Sequence, residues 1–389
     1  MRAVTTGMIA TYPVGGVAWD YGQYALGLER LGFEVYYLED TGLPAHTLNP
    51  ATGEYEEDPS YGVRFLQDSL ACFSPSLKER WHFRAYDGRA YGLDAEDVAE
   101  ICAGSDVLLN VSGGCLLRDE YRRCPRKVFI DTDPGLNHFL IFPRWDAWSE
   151  EKRKLGFRSH DHFFTFAGRI SQPDCPLSDF GLDWHPTVHP VVSDCWGSRD
   201  APSGDRWTTV MMWKNYEKPL EHDGVSYGSK EVEFAHVEEM PSRARTLFEI
   251  AVSGEAPRER LKSLGWSVVE GSAASGTAND YRSYIEGSRG EFSVAKNVYV
   301  ATRSGWFSGR SACYLAAGRP VVLQETGFSD TVPTGDGLLS YSNLDEAVRA
   351  VDAVERDYDH HSEAARELAH TRFDSSVVLG EILGKIGLG

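Results

Sequence analysis

The sequence has no long apolar run, no excess of basic residues and no paired cysteines. No segment approaches the ~20 apolar residues that span a bilayer, and no basic region with a sustained apolar stretch opens the chain, so we expect a soluble protein. The formal net charge of -19 offers nothing to offset repulsion from a phosphate backbone, which excludes nucleic acid as a partner. The seven cysteines include no C-x-x-C motif, which argues against a disulfide framework or a zinc site and favours a reducing cytoplasm.

Short apolar runs alternate with helical stretches along the 389 residues, which are too many for one ordinary core. The opening predicts a strand at 3–10, then a loop with Gly15 and Gly16, and then a helix. Further strands are predicted at 34–38, 106–110, 127–130, 163–166, 207–213, 266–269, 297–302 and 321–323. This alternation predicts an α/β fold with mostly parallel sheets.

Turn-forming residues break the pattern in the stretch CWGSRDAPSGDR. We therefore place a linker at 193–206, between an N-terminal domain at 1–192 and a C-terminal domain at 207–389, whose last helix could pack back on the first domain. Within the second domain, Asn343 opens a capping-box pattern that precedes an apolar stripe. The stretch GSAASGTAND at 271–280 predicts a loop.

The segment 295–326 predicts a unit that binds phosphate, because a strand is followed by small residues and a short helix. Ser308, Gly309 and Ser311 lie where that helix begins. A helix that starts beyond the carboxyl end of a parallel strand directs its unpaired N–H groups into the ligand crevice, where an anion fits. Arg310 could add a bidentate partner for a phosphate. An ordinary crossover helix with a serine cap is the alternative.

The phrase LAAGRPVVLQETGF resembles the E-A-x-A-x-G-x-P-V-V stretch of nucleotide-sugar-dependent glycosyltransferases of the GT-B fold. The matching places hold Ala316, Gly318, Pro320, Val321 and Val322, and Phe307 holds an aromatic position of the preceding turn. Over nearly its full length the chain is similar to a group of predicted bacterial glycosyltransferases that share DTDPG, GWFSGRSACYLAAGRPV and QETGF. The resemblance implies two Rossmann-like domains facing a cleft.

One departure from the family concerns two glutamates eight residues apart, whose places hold Gly305 and Cys313. Neither residue can replace a carboxylate, which leaves the stereochemical outcome, retaining or inverting, open. Glu325 is a substitute contact for a sugar hydroxyl, and Gln324 and Thr326 could share that role.

The resemblance implies a hexosyltransferase that moves a sugar from a nucleotide diphosphate sugar to a small-molecule or glycan acceptor, in natural-product or glycan biosynthesis. It implies no metal and no cofactor apart from the nucleotide sugar itself. The sequence leaves open whether the protein forms a homodimer. The implied donor-binding residues are Ser308, Gly309, Arg310, Ser311, Lys214 and Lys230, with the three residues at 324–326. The implied acceptor side is lined by Gly15, Gly16, Trp19 and Asp20.

Asp131, Asp133 and His138 follow the predicted strand at 127–130 and are the candidates for the base that takes the acceptor's proton. A carboxylate near a second one can have a raised pKa, as a base that works near neutrality needs. An Asx turn or helix cap is the alternative for the aspartates, and a structural role is the alternative for the histidine.

Other functions stay open at this point. A nucleotide-sugar epimerase or hydrolase would use the same phosphate site, and a catalytically degenerate transferase-like protein would only bind. A nicotinamide-dependent oxidoreductase is disfavoured, because the first strand is not followed by a G-x-G-x-x-G turn. The triplet His160-Asp161-His162 could suggest a metal, but it lacks a third ligand at a suitable spacing.

Overall fold

A computed structural model describes residues 1–43, 47–49, 54–197, 202, 204–216 and 218–389. The chain forms two compact units. The first unit comprises Met1–Phe166, Ser178–Pro190 and Ser375–Gly389, and the second comprises Ala167–Leu177 and Val191–Asp374. The chain therefore passes between the units more often than a single linker at 193–206 would allow. Positions 198–201 and 203 of that linker lie outside the described residues.

The strands are numbered in chain order. They are β1 (Arg2–Thr6), β2 (Glu34–Glu39), β3 (Thr47–Leu48), β4 (Tyr55–Glu56), β5 (Trp81–Arg84), β6 (Ala90–Gly92), β7 (Val107–Val111), β8 (Lys127–Asp131), β9 (His162–Thr165), β10 (Trp184–Pro186), β11 (Arg206–Met212), β12 (Leu220–His222), β13 (Val225–Tyr227), β14 (Leu247–Ser253), β15 (Ser267–Glu270), β16 (Gly290–Ser293), β17 (Val321–Gln324) and β18 (Leu338–Tyr341).

The helices are also numbered in chain order. They are α1 (Gly15–Arg30), α2 (Ser60–Phe73), α3 (Ala95–Ala103), α4 (Pro134–Leu136), α5 (Phe142–Asp146), α6 (Glu150–Arg153), α7 (Lys230–Phe234), α8 (Met240–Arg243), α9 (Arg258–Ser263), α10 (Gly271–Ser275), α11 (Ala278–Gly287), α12 (Asn297–Ala301), α13 (Gly309–Ala316), α14 (Leu344–Arg356), α15 (Tyr358–Leu368) and α16 (Ser375–Lys385). Short 3-10 and π turns lie between some of them.

Each unit contains one main sheet of the doubly wound kind. The first has the order β10-β9-β8-β7-β1-β2-β5-β6, in which only β6 runs antiparallel to its neighbour. The second has the order β15-β14-β11-β16-β17-β18, and its strands are parallel. Chain order reverses between β1 and β7 in the first sheet and between β11 and β16 in the second. Open α/β sheets bind ligands at such switch points, beyond the carboxyl ends of the strands.

The second unit confirms the apolar stripe and the cap at Asn343, although the Glu346 side chain accepts from the Ser342 amide and not from that of Asn343. The Asn343 side chain accepts a hydrogen bond from the Glu346 amide at 3.0 Å and caps α14. Ala347, Val351 and Val354 on that helix are fully buried. They join a core that also contains the aromatic rings of the central strands. The helical period in the sequence therefore marked a true buried face.

Three predicted elements were wrong. Residues 297–302, predicted as a strand, form helix α12 and the turn after it, and the strand lies upstream as β16. Val298 and Thr302 are buried one helical turn apart, so the β-branched residues pack as a helix face. Residues 271–280, predicted as a loop, form α10 and the start of α11, which Thr277 caps. Gly15 and Gly16 lie in the first turn of α1, not in the preceding loop.

Candidate functional site

Helix α13 begins beside the switch point of the second sheet. Ser308 is its N-cap residue, and the Ser308 hydroxyl makes no capping hydrogen bond. The first N–H groups of a helix have no partner within the helix, and the helix dipole gives that end a partial positive charge. The start of α13 therefore has the physical properties of an anion site, and phosphate binding there stays a prediction.

Arg310 fastens this helix start to the two strands at the switch point. Its Nε donates to Glu291 Oε1 at 2.5 Å, one terminal nitrogen donates to the Val210 carbonyl at 2.7 Å, and the other donates to Ser293 Oγ. The Arg310 side chain is 11% exposed and that of Glu291 is fully buried. The guanidinium is thus directed into the protein, which differs from the predicted role as a phosphate ligand.

Ser311 also faces the interior. Its side chain is fully buried, and within the described part of the chain its hydroxyl has no hydrogen-bond partner. A ligand could not reach this hydroxyl without a movement of the helix. The side chains of Arg310 and Ser311 are thus directed inward, so of the groups in the four residues predicted to hold the diphosphate, the backbone amides at the start of α13 are those that could bind an anion.

Gly305 adopts a left-handed conformation, with φ of 79°. A side chain here would place its Cβ 2.9 Å from both Cγ and the backbone nitrogen of Arg169. A glutamate at this position would therefore collide with the segment Ala167–Leu177, which belongs to the same unit. Cys313, at the second glutamate position, is buried within α13. The packing around position 305 therefore leaves no room for a glutamate.

Three polar residues follow one another where β17 ends. Gln324 is buried, donates to Glu233 and accepts from the Ala295 amide at 3.2 Å. The buried Thr326 hydroxyl donates to the Trp306 carbonyl at 2.6 Å. The side chains of both residues are thus used inside the protein, which differs from the predicted contact with a sugar. Glu325 is half-buried, and its Oε1 accepts from the Gly327 amide at 2.5 Å, so its carboxylate is the accessible member of the three.

The two predicted lysines differ in their surroundings. Lys214 is exposed directly beyond β11, whereas Lys230, the first residue of α7, is buried. The loop after β11 is held by Ser229 Oγ, which accepts from the amides of Asn215 and Tyr216 at 3.1 and 3.2 Å. Lys214 is therefore the lysine placed at the switch point and open to solvent.

Lys296 is a cation at this edge of the sheet that the sequence reasoning missed. It follows β16 and lies over the rings of Tyr216 and Tyr299, 5.0 and 5.3 Å from their centroids. Trp306 stacks on Tyr299 with centroids 4.4 Å apart. The wrong strand at 297–302 hid Lys296, because a correct end of β16 at Ser293 would have marked it as a strand-end residue.

In the first unit, Asp131 and His138 form a buried pair. His138 Nε2 lies 3.1 Å from Asp131 Oδ2, and both side chains are fully buried. Asp131 also accepts from Thr165 Oγ1 and Asn137 Nδ2, and His138 Nδ1 lies 2.7 Å from the Ser178 carbonyl. These contacts join the carboxyl ends of β8 and β9, a structural role that differs from the predicted exposed base. The half-buried Asp133 caps α4 through Leu136 and is the accessible candidate.

The residues predicted to face the acceptor lie on α1. Trp19 is buried against Phe73, with ring centroids 4.7 Å apart. Asp20 is half exposed, and its Oδ1 lies 3.8 Å from Nε2 of His189. Burial lowers the pKa of His189 to about 3, which keeps this imidazole neutral. Of these residues, Asp20 and Gly16 have surface open to solvent.

Glu39, at the end of β2, is a buried carboxylate that the sequence gave no reason to single out. Its oxygens accept from the Ala10 amide, the Thr11 amide and hydroxyl, and the Tyr37 hydroxyl, at 2.6 to 3.1 Å. Burial raises the pKa of Glu39 to about 7, against the opposing effect of these donors. Glu39 fixes the turn after β1, next to the switch point of the first sheet.

His160 of the triplet is buried between the Phe157 carbonyl, 2.7 Å from its Nδ1, and Asn110. Burial lowers its pKa to about 4. Among the residues that the structure describes, no three His, Cys, Asp or Glu side chains are grouped to hold a metal ion. Within the same ranges, every helix is too short or too polar to cross a membrane.

No protein-family profile matches the chain, and no curated protein matches its sequence. Solved structures do match over the full length. HepE from Anabaena, solved with UDP and glucose, has a TM-score of 0.58 at 10% identity, covering 100% of this chain and 99% of that chain. An α-glucosyltransferase solved with UDP and a 13-mer DNA that contains a mismatch has a TM-score of 0.58 at 12% identity, covering 100% of both chains.

AviGT4, a glycosyltransferase involved in avilamycin A biosynthesis, has a TM-score of 0.55 at 12% identity, covering 99% of this chain and 97% of that chain. Identities this low carry information about the fold alone. They agree with the two doubly wound sheets described above. The chain has the GT-B fold of these glycosyltransferases, with two Rossmann-like units.

Proposed function

We propose that the protein transfers a hexose from a nucleotide diphosphate sugar to a small-molecule or glycan acceptor without a metal ion. The observation that supports the proposal is the start of α13 at a switch point, where unpaired helix amides could bind an anion, in a chain whose fold matches solved glycosyltransferases over its whole length. HepE was also solved with UDP-glucose, which supports a uridine diphosphate sugar as the first donor to test.

The reaction forms a bond between the acceptor oxygen and the anomeric carbon while the bond from that carbon to the diphosphate breaks. The bonding electrons leave with the diphosphate, whose growing negative charge needs nearby donors. The amides of Ser308 and Gly309 would supply them at the start of α13, with Lys214 as a cation from the neighbouring strand end. Arg310 would hold that helix in place, and Glu325 would contact a sugar hydroxyl.

The acceptor's hydroxyl proton must pass to a base. Asp133 is the proposed base, since Asp131 and His138 are buried in a pair while Asp133 lies half-buried beside them at the end of β8. For the acceptor itself, the related α-glucosyltransferase was solved with DNA. The net charge of -19 on this chain opposes a DNA acceptor, which favours a small molecule or a glycan.

A charge placed at the first helical residue tests the donor site. Gly309→Asp adds an anion where acidic residues stabilise a helix start, so the fold should persist while the diphosphate is repelled. We expect UDP binding, measured by calorimetry, to weaken at least tenfold, about 1.4 kcal/mol. Gly309→Asn is the matched control of equal size without charge and should bind UDP within a few-fold of the wild type. Equal affinities of the two variants, or no UDP binding by the wild type, would count against the site.

A catalytically degenerate binding protein of the same fold is the second candidate, favoured by the absence of carboxylates at Gly305 and Cys313, and a nucleotide-sugar hydrolase is an outcome that the same experiment detects. Incubation with the donor alone separates these functions. Release of free sugar without an acceptor would indicate a hydrolase. Binding without turnover across a broad panel of acceptors would indicate a binding protein.

A further inference from the structure

The segment Ala167–Leu177 leaves the first unit after β9 and packs as part of the second unit. We call it the strap. Its Arg169 is 8% exposed, although both of its carboxylate partners are about half exposed. Two half-exposed carboxylates do not by themselves explain why the guanidinium is buried, so its other contacts must fix its position.

Those contacts are with two turns that frame the start of α13. The backbone amide of Arg169 donates to the Ser304 carbonyl at 3.0 Å, and one terminal nitrogen of its guanidinium donates to the Arg303 carbonyl at 3.0 Å. Nε donates to Asp330 at 2.6 Å, and the second terminal nitrogen donates to Asp174 of the strap at 2.7 Å. One side chain thus connects the turn before α13 with the 3-10 turn after β17.

The aliphatic part of Arg169 lies against two left-handed glycines. Gly305 has φ of 79° and Gly327 has φ of 91°. A Cβ would lie 2.9 Å from Arg169 Cγ at Gly305 and 2.4 Å from Arg169 Cδ at Gly327, which is closer than van der Waals contact allows. Neither turn therefore has room for a side chain where the arginine passes, and Gly305 is one of the positions at which the resembled family has a glutamate.

The two turns are also bonded to each other. The Gly305 amide donates to the Thr326 carbonyl at 2.8 Å, and the Thr326 hydroxyl donates to the Trp306 carbonyl. Glu325, whose side chain is half-buried, precedes Thr326 and accepts from the Gly327 amide. Any movement of Arg169 would consequently shift the backbone that orients Glu325, whereas α13 has its own attachment to the sheet through Arg310.

We propose that Arg169 is a positioning residue: it orders the turn at Gly305, where the glutamate is missing, and it sets where Glu325 meets the donor sugar. This inference rests on the proposed transferase function. The proposal assigns the two arginines to different parts of the donor site. Arg310 fixes the helix whose amides would bind the diphosphate, and Arg169 fixes the turn whose Glu325 would contact the sugar. Substitutions at Arg169 should therefore disturb the contact between Glu325 and the donor sugar, and the nucleotide diphosphate should still bind.

The test compares Arg169→Lys with Arg303→Ala in the full-length protein. Lysine keeps the charge but loses the planar fork that binds three acceptors at once. Arg303 also binds Asp174, at 3.0 Å, but its exposed side chain does not support the glycine turns, so its replacement is the matched control. For Arg169→Lys we expect UDP affinity within threefold of the wild type, and kcat for transfer from UDP-glucose at least tenfold lower. Arg303→Ala should change neither quantity.

Unchanged kcat in Arg169→Lys would overturn the inference, and so would a parallel loss of UDP affinity and kcat, which would indicate general damage. Hydrogen exchange of the Gly305 amide supplies a readout that needs no ligand. It should become at least tenfold faster in Arg169→Lys and stay unchanged in Arg303→Ala. If the wild type does not use sugar nucleotides, the proposed function fails while this exchange result still decides whether Arg169 orders the turn.

Discussion

The Arg310–Glu291 pair is almost completely buried, and the second oxygen of Glu291 has no hydrogen-bond partner among the described residues. A buried charge that loses its partner is costly, whereas replacing both members with neutral residues can be nearly neutral. The sequence suggested Arg310 for phosphate because guanidinium groups suit that ligand. Only the positions of β11 and β16 reveal that its donors are directed inward.

Replacement of this arginine should therefore make the second unit less stable against unfolding. We expect Arg310→Met to lower the free energy of unfolding by about 3–5 kcal/mol, measured by urea denaturation. The double variant Arg310→Met/Glu291→Met should recover most of that loss, because no charge stays buried. A single variant as stable as the wild type would show that the pair is solvated in solution.

Among the elements of the first sheet, a side chain at the carboxyl end of one strand binds the end of the strand beside it or the turn that follows that strand. Glu39 at the end of β2 fixes the turn after β1, and Asp131 at the end of β8 binds Thr165 of β9. The sequence predicted these strands to within a few residues. It could not reveal the links between them, because strands far apart in the chain become neighbours only in the folded sheet.

Glu39 should make the stability of the first unit depend on pH. Its pKa is raised from 4.5 to about 7 in the folded protein, so the folded state holds the proton more tightly than the unfolded chain. Its contribution to the free energy of unfolding is fully present below about pH 4.5 and is lost as pH rises through about 7. The loss is up to about 3 kcal/mol, at about 1.36 kcal/mol per pKa unit.

Glu39→Gln removes the titrating group. The NH2 group of glutamine cannot accept a hydrogen bond, so the backbone N–H of either Ala10 or Thr11 loses its acceptor. We expect the variant to be less stable by about 1–3 kcal/mol at pH 5, with the difference from the wild type shrinking towards pH 7.5. Denaturation at a series of pH values checks this. A difference that is constant from pH 5 to 7.5 would contradict the raised pKa.

For the molecule as a whole, the end of the chain is part of the first unit. Helix α16 buries Val378, Leu379, Ile382 and Leu383, and it packs on α1, where Gly27 leaves room for Leu379 and Ser375. The first unit therefore includes the last fifteen residues, Ser375–Gly389, which follow the second unit in the chain.

Deletion of 375–389 should destabilise the first unit and leave the second folded. We expect trypsin to cleave within 1–166 at least tenfold faster than in the full chain, while the second unit resists as before. Deletion of only 387–389 leaves α16 intact and is the control. Equal cleavage rates in the first unit of the full chain and of the 375–389 deletion would show that α16 contributes little.

Local pattern alone predicted the α/β class, the cap at Asn343 and the strands β1, β2, β7, β8, β9, β11, β15 and β17. These features depend on residues within a few positions of each other, where the period of apolar side chains and the chemistry of caps act directly. The tertiary structure decided the roles of Arg310, Gln324 and His138, which look like ligands in the sequence and serve as internal partners. It also brought Arg169 against Gly305 across 136 positions, a contact that a one-dimensional pattern cannot encode because its partners meet only when the chain has folded.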